Sequence, residues 1–197
     1  QNVVGPVFMT IGVALSLIGN FIFGANIGDI SCRYTLSYSP SNGAFGIWGV
    51  IYLWTFACIF CQFLFSFDSS SFQVANLESN VLMLISWTLS GAWTFFFTRN
   101  QILASAIILV LAAATAISGT ITECMSAKSS VVKILTISFP FSLYGGWLIV
   151  ASSINVGILI FSQGGSESDD VKLLCTRDES GNVVIPDPMG PVDLYLP

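Results

Sequence analysis

Apolar residues fill five long stretches of the chain, and the polar residues gather between them. No charged residue falls in 1–28, 34–67, 79–98, 100–122 or 134–166. Crossing the hydrocarbon core of a bilayer takes roughly 20 apolar residues in a helix. The pattern therefore predicts five transmembrane helices, at about 5–23, 45–66, 80–97, 101–121 and 134–161. Strands do not fit, because a membrane barrel strand alternates apolar and polar positions. Ile107-Ile108-Leu109-Val110-Leu111-Ala112-Ala113-Ala114 is apolar on every side.

The connections agree with this count. A longer first loop runs from Gly24 to Gly43 with Asp29, Arg33 and Pro40, and Asp68-Ser69-Ser70-Ser71 opens the second. The third is a tight turn at Arg99-Asn100, and the fourth holds Glu123, Lys128 and Lys133. Pro140 lacks an amide proton, so the fifth helix is expected to start or kink there, with a short lead-in before it. Gly145-Gly146 is read as a point of close helix approach. The basic residues divide between the two sides as Arg33, Arg99, Lys172 and Arg177 against Lys128 and Lys133. In short loops this is two against two, and no orientation follows.

The expected fold class is thus an all-α integral membrane protein, a five-helix bundle over 1–166. An acidic, partly extended extramembrane tail follows over 167–197. From Glu167 onward there are seven acidic and two basic residues, a net of −5, which equals the net charge of the whole 197-residue chain. Val171–Cys175 and Asn182–Ile185 flank the turn signal Asp178-Glu179-Ser180-Gly181 and predict a small β-hairpin. The tail also carries apolar residues with no core of their own to enter: Val183, Val184, Ile185, Leu194 and Tyr195. They are candidate partner-binding residues, and the tail is expected to be held by surfaces outside the bundle.

Composition narrows the chemistry. Hydrophobic residues make up 54% of the chain and charged residues 9%, and histidine is absent. A soluble domain, a disordered chain and a nucleic-acid binder are excluded. Sites that need histidine are excluded with them. No acidic residue falls within a predicted span, so acid/base catalysis lacks its groups, and a non-enzymatic protein is expected. Cys58 and Cys61 form a C-x-x-C inside an apolar helix and are read as small packing residues. Cys32 and Cys175 fall on one side of the membrane, where a disulfide between them is open. Trp54 and Trp87 are read as interfacial or packing residues. Gln62, Ser90, Thr94 and Asn155 are polar positions within spans, which ordinarily hydrogen-bond between helices.

Three stretches together resemble the tryptophan-rich sensory protein (translocator, TspO) family of five-helix membrane proteins, and its longer, divergent branch most closely. The first is Pro40-Ser41-Asn42-Gly43-Ala44-Phe45-Gly46-Ile47-Trp48-Gly49-Val50-Ile51-Tyr52, which opens the second helix. The second is Trp93-Thr94-Phe95-Phe96-Phe97 in the third. The third is Pro140-Phe141-Ser142-Leu143-Tyr144-Gly145-Gly146-Trp147, continuing through Ala151 to Asn155 in the fifth. The resemblance covers about residues 5–161. It implies a bundle with a pocket for porphyrins, sterols or similar flat hydrophobic molecules, and no assigned enzymatic activity. Carried over by position, Trp48, Tyr52, Trp93, Trp147, Ala151 and Asn155 would line or support that pocket. A porphyrin, a chlorophyll or a lipid would have to bind without histidine ligation.

A second reading belongs to another class: a structural accessory subunit of a large organellar membrane complex, such as a photosystem–antenna or respiratory assembly. On that reading the membrane is that of a plastid thylakoid or a mitochondrion. Its partners are lipid, a hydrophobic small molecule and other subunits, and no nucleic acid. Gln1 in place of an initiator methionine predicts a removed targeting segment or a start within a longer chain.

Overall fold

A computed structural model describes residues 3–24, 27, 46–67, 75–125, 131–163, 176–177 and 183–184. Helix α1 spans Val4–Phe23, α2 Ile47–Phe67, α3 Leu77–Thr98 and α4 Ile102–Met125. The fifth helix, α5, has three pieces: a lead-in Val131–Lys133, a π-helical segment Ile134–Ser138 and the main helix Phe139–Gln163. Among the described residues, these five are long and apolar enough to cross a membrane. The chain is an integral membrane protein built as a five-helix bundle.

The helices pack in an order that differs from their order in the chain. α3 lies closely against α1 on one side and α4 on the other, and α4 lies closely against α5. Among the described residues, α2 approaches α1 and α5 over short stretches of backbone. Small residues explain the tight seams. Gly5, Gly12 and Gly19 recur every seven residues along α1, and each meets α3. A Cβ added at Gly19 would stand 2.7 Å from the Gly91 carbonyl oxygen, and one at Gly91 would stand 2.9 Å from the Ser16 Cα. In lipid, such close backbone approach is a main source of helix association, because dispersion replaces the hydrophobic effect. Gly145, by contrast, makes only an ordinary contact with Ala116, and Gly146 faces open space. The close approach expected at that pair belongs instead to α1 and α3.

The turn between α3 and α4 is a Schellman motif. Asn100 takes φ 58°, its N–H donates to the Phe97 carbonyl at 2.9 Å, and the Gln101 N–H donates to the Phe96 carbonyl at 3.0 Å. Asparagine tolerates this left-handed conformation better than most residues. Arg99 lays its guanidinium over the Phe95 ring, 3.6 Å from the centroid.

Glu123 and Lys133 depart from the loop expected for them. α4 continues to Met125, so Glu123 lies in its last turn and is fully buried. Lys133, in the lead-in of α5, is 6% exposed and reaches Glu123 Oε1 at 2.7 Å. The other carboxylate oxygen accepts the backbone N–H of Asn76 at 2.9 Å, at the start of α3. One acid therefore ties together three helix ends, and an acidic residue does lie within a span. Hydrogen bonds and an ion pair offset the cost of burying it.

Beyond α5, Thr176–Arg177 pairs antiparallel with Val183–Val184. The second strand falls within the expected arm Asn182–Ile185, the first follows directly on the expected arm Val171–Cys175, and that arm lies outside the described residues. Phe45, Cys32, Cys175, Asp29, Arg33, Asp68, Lys128, Ile185, Leu194 and Tyr195 lie outside the described residues.

Candidate functional site

The interior between α2, α3 and α5 is aromatic. Trp48 and Tyr52 are one helical turn apart on α2, so their rings stack, with centroids 5.8 Å apart. Trp48 also meets Trp147 of α5 edge-on at 6.2 Å. Tyr52 reaches Trp87 of α3 at 5.3 Å, and Trp87 lies flat on Tyr144 of α5 at 3.9 Å, with 5° between the rings. The column thus runs Trp147, Trp48, Tyr52, Trp87, Tyr144. Trp87 and Tyr144 are fully buried, and their face-to-face spacing leaves no slot between them. Trp48, Tyr52 and Trp147 are partly exposed and pack onto this floor. Ala151, one turn beyond Trp147, packs against the same cluster.

Polar side chains fix the column's orientation. The Tyr52 hydroxyl accepts from Asn20 Nδ2 of α1 at 2.9 Å and lies 3.4 Å from Ser16 Oγ. Asn20 Oδ1 in turn accepts from Thr94 Oγ1 of α3 at 2.6 Å. Three helices are therefore joined through one asparagine, Asn20. Ser86 donates to the Ala112 carbonyl at 2.7 Å and stands 3.3 Å from the Tyr144 hydroxyl. Towards the end of α2 near Phe67, Gln62 is fully buried and accepts from Asn80 Nδ2 at 3.2 Å. Its own amide faces Met9 Sδ and Cys58 Sγ. Cys58 is thus a buried packing residue, and Cys61 is a free, partly buried thiol.

The six residues carried over from the resemblance separate into three groups. Trp48, Tyr52 and Trp147 come together, with Ala151 at their edge. Trp93 stacks on Phe97 at 5.1 Å and bridges to a second apolar cluster with Ile102 and Ile158. Asn155 is buried on the α4–α5 seam, where its Oδ1 accepts from Ser105 at 3.0 Å. That is an interhelical hydrogen bond.

Two members of the column were not in the candidate set. Tyr144 precedes Trp147 by three and Ala151 by seven, a single helical face. Trp87 precedes Ser90 by three and Thr94 by seven on α3. Helical spacing alone could have added both. Among the described residues, the buried indole N–H groups of Trp87 and Trp93 meet no acceptor, an arrangement that usually calls for an explanation.

Fold and interior together define a five-span helical integral membrane protein with a continuous aromatic core. The family model described as TSPO-like protein matches residues 2–170, and the chain belongs to that family. Comparison with curated proteins and with solved structures finds no match for this chain.

Proposed function

We propose that this protein is a non-enzymatic binding protein of the TspO type. It takes a flat hydrophobic ligand, of the tetrapyrrole class or a lipid, on the aromatic surface of Trp48, Tyr52 and Trp147. The observation that supports this reading most is the column itself. Partly exposed rings from α2 and α5 rest on a rigid, fully buried Trp87–Tyr144 pair. Flat π-surfaces bind flat apolar ligands by offset stacking, and a supporting layer keeps the rings in place when the ligand leaves. α2, which contributes two of the rings, has the least backbone packing to lose if it shifts to admit a ligand. Asn155 supports the site from behind by holding α5 to α4.

Titration of the purified protein with protoporphyrin, read by tryptophan quenching, tests the proposal. Saturable quenching is expected, weakened at least tenfold in apparent affinity by Trp48→Leu and by Trp147→Leu. Absence of saturation, or affinity unchanged in both variants, would remove the aromatic column from consideration as the site.

A further inference from the structure

Asn20 is the only carboxamide of α1 and sits in its last turn, directly after Gly19. A carboxamide is a poor choice for an apolar helix unless something pairs with it. The α1–α3 seam supplies the partners. A Cβ at Gly19 would stand 2.7 Å from the Gly91 carbonyl oxygen, and one at Gly91 would stand 2.9 Å from the Ser16 Cα. Ser16 lies one turn before Asn20, and Thr94 lies one turn beyond Gly91. Backbone contact between the two glycines therefore brings three short polar side chains to one level of the bundle. Ser16 and Thr94 are both fully buried there.

The carboxamide is engaged at both ends. Its Oδ1 accepts from Thr94 Oγ1 at 2.6 Å, and its Nδ2 donates to the Tyr52 hydroxyl at 2.9 Å. Thr94 holds Asn20 from α3, and Asn20 holds Tyr52 of α2. The Tyr52 ring lies between Trp48 at 5.8 Å and Trp87 at 5.3 Å, inclined by 29° and 34° to them. A ring attached only at its Cα can swing about χ1 and χ2, and fixing its far end removes that freedom. Two other side chains of α2 bond to neighbouring helices, Trp54 to the Leu135 carbonyl and Gln62 to Asn80. Neither belongs to the column, so neither can restrain the Tyr52 ring directly.

We propose that Asn20 is a positioning residue for the ligand surface, a role that rests on the reading of the column as that surface. Asn20 acts through the Tyr52 hydroxyl and holds the ring at the inclination on which a flat ligand stacks. Glycine contact places Asn20, Asn20 places Tyr52, and Tyr52 completes the surface with Trp48 and Trp147. The α1–α3 seam then tunes affinity at a site made by α2 and α5.

A cycle of Asn20→Leu and Tyr52→Phe in the full chain tests this, since Tyr52→Phe keeps the ring and removes only the hydroxyl. Each single variant should weaken the apparent affinity for protoporphyrin about fivefold, the size of one interhelical hydrogen bond in a membrane. The double variant should be no weaker than either. In the ligand-free protein, Asn20→Leu should reduce the tryptophan bands of the near-ultraviolet circular dichroism, Tyr52→Phe should do the same, and the double variant should reduce them no further. Losses that multiply in the double variant, or tryptophan bands unchanged in Asn20→Leu, overturn the proposal, because a general packing role would act with or without the hydroxyl. If Asn20→Leu fails to fold, Thr94→Val takes its place in the same cycle and reads the same relay. A wild-type chain that shows no saturable quenching refutes the ligand reading alone. The spectra of the ligand-free variants then still decide whether Asn20 positions Tyr52.

Discussion

In the π-helical turn of α5, the Phe139 N–H donates to the Ile134 carbonyl, five residues back. In the same register the Leu135 carbonyl would pair with residue 140, and that residue is a proline with no proton to give. Trp54 of α2 supplies the missing donor: its indole N–H reaches the Leu135 oxygen at 3.0 Å, while its ring packs on Phe139 at 4.7 Å. In hydrocarbon no water can take that place. Trp54→Phe should therefore cost about 1–3 kcal/mol, the usual penalty for an acceptor left unpaired away from water, here on the bundle's outer, lipid-facing surface. The loss should shrink in a Pro140→Ala background, where a backbone N–H returns. Unfolding of the two single variants and the double variant in mixed micelles measures this, and equal losses in both backgrounds would exclude the Leu135 carbonyl as the cause. Asn100 gives a second test at this scale. Its φ of 58° predicts that Asn100→Gly is nearly neutral, whereas Asn100→Val lowers stability by about 1–2 kcal/mol.

At the scale of elements, the Glu123–Lys133 pair is a junction. It joins the end of α4, the start of α5 and, through the Asn76 amide, the start of α3. Lys133→Met leaves a buried carboxylate without its cation and should cost about 3–5 kcal/mol. Adding Glu123→Gln should recover part of that loss, because the neutral amide no longer carries a charge into the interior. A double-mutant cycle on thermal stability in detergent reads the coupling, and strict additivity would show that the two side chains act independently. The α1–α3 seam predicts a different kind of failure. Gly91→Leu would place a side chain against the Ser16 backbone, and α1 should separate from α3 while α4 and α5 remain packed. Disulfide cross-linking between cysteines placed on α1 and α3, compared with a pair on α4 and α5, distinguishes local from general damage.

Across the whole molecule, the five spans were legible because charge has no place in hydrocarbon, and the uncharged intervals nearly coincide with the helices. The helix ends were less so. Glu123 looked like a loop residue because its partner, Lys133, is ten positions away and its pairing is tertiary. The spatial order of the helices was not legible at all, since every helix is apolar on most of its surface. The glycines at 5, 12 and 19 were the available clue to the α1–α3 seam, and their meaning depended on Gly91 lying opposite. In the aromatic core, Trp48, Tyr52 and Trp147 came from a motif, whereas Trp87 and Tyr144 needed the helical spacing to be followed one turn further. The loose seating of α2 predicts that its backbone amides exchange with deuterium faster than those of α3 in detergent, by at least tenfold. Equal protection of both helices would contradict it.

That seating also bears on how the protein is made. α2 leaves the ribosome after α1, yet the close partner of α1 is α3, which emerges later still. For that interval α1 and α2 share the membrane with little backbone contact between them. Once α3 arrives, the glycine seam closes, and α4 and α5 can add in turn, each against the helix made just before it. α2 then cannot complete its contacts until α5 is in the bilayer, because until then Trp54 has no Leu135 carbonyl to meet. Synthesis runs from α1 to α5, but the contacts of α2 are among the last that can close.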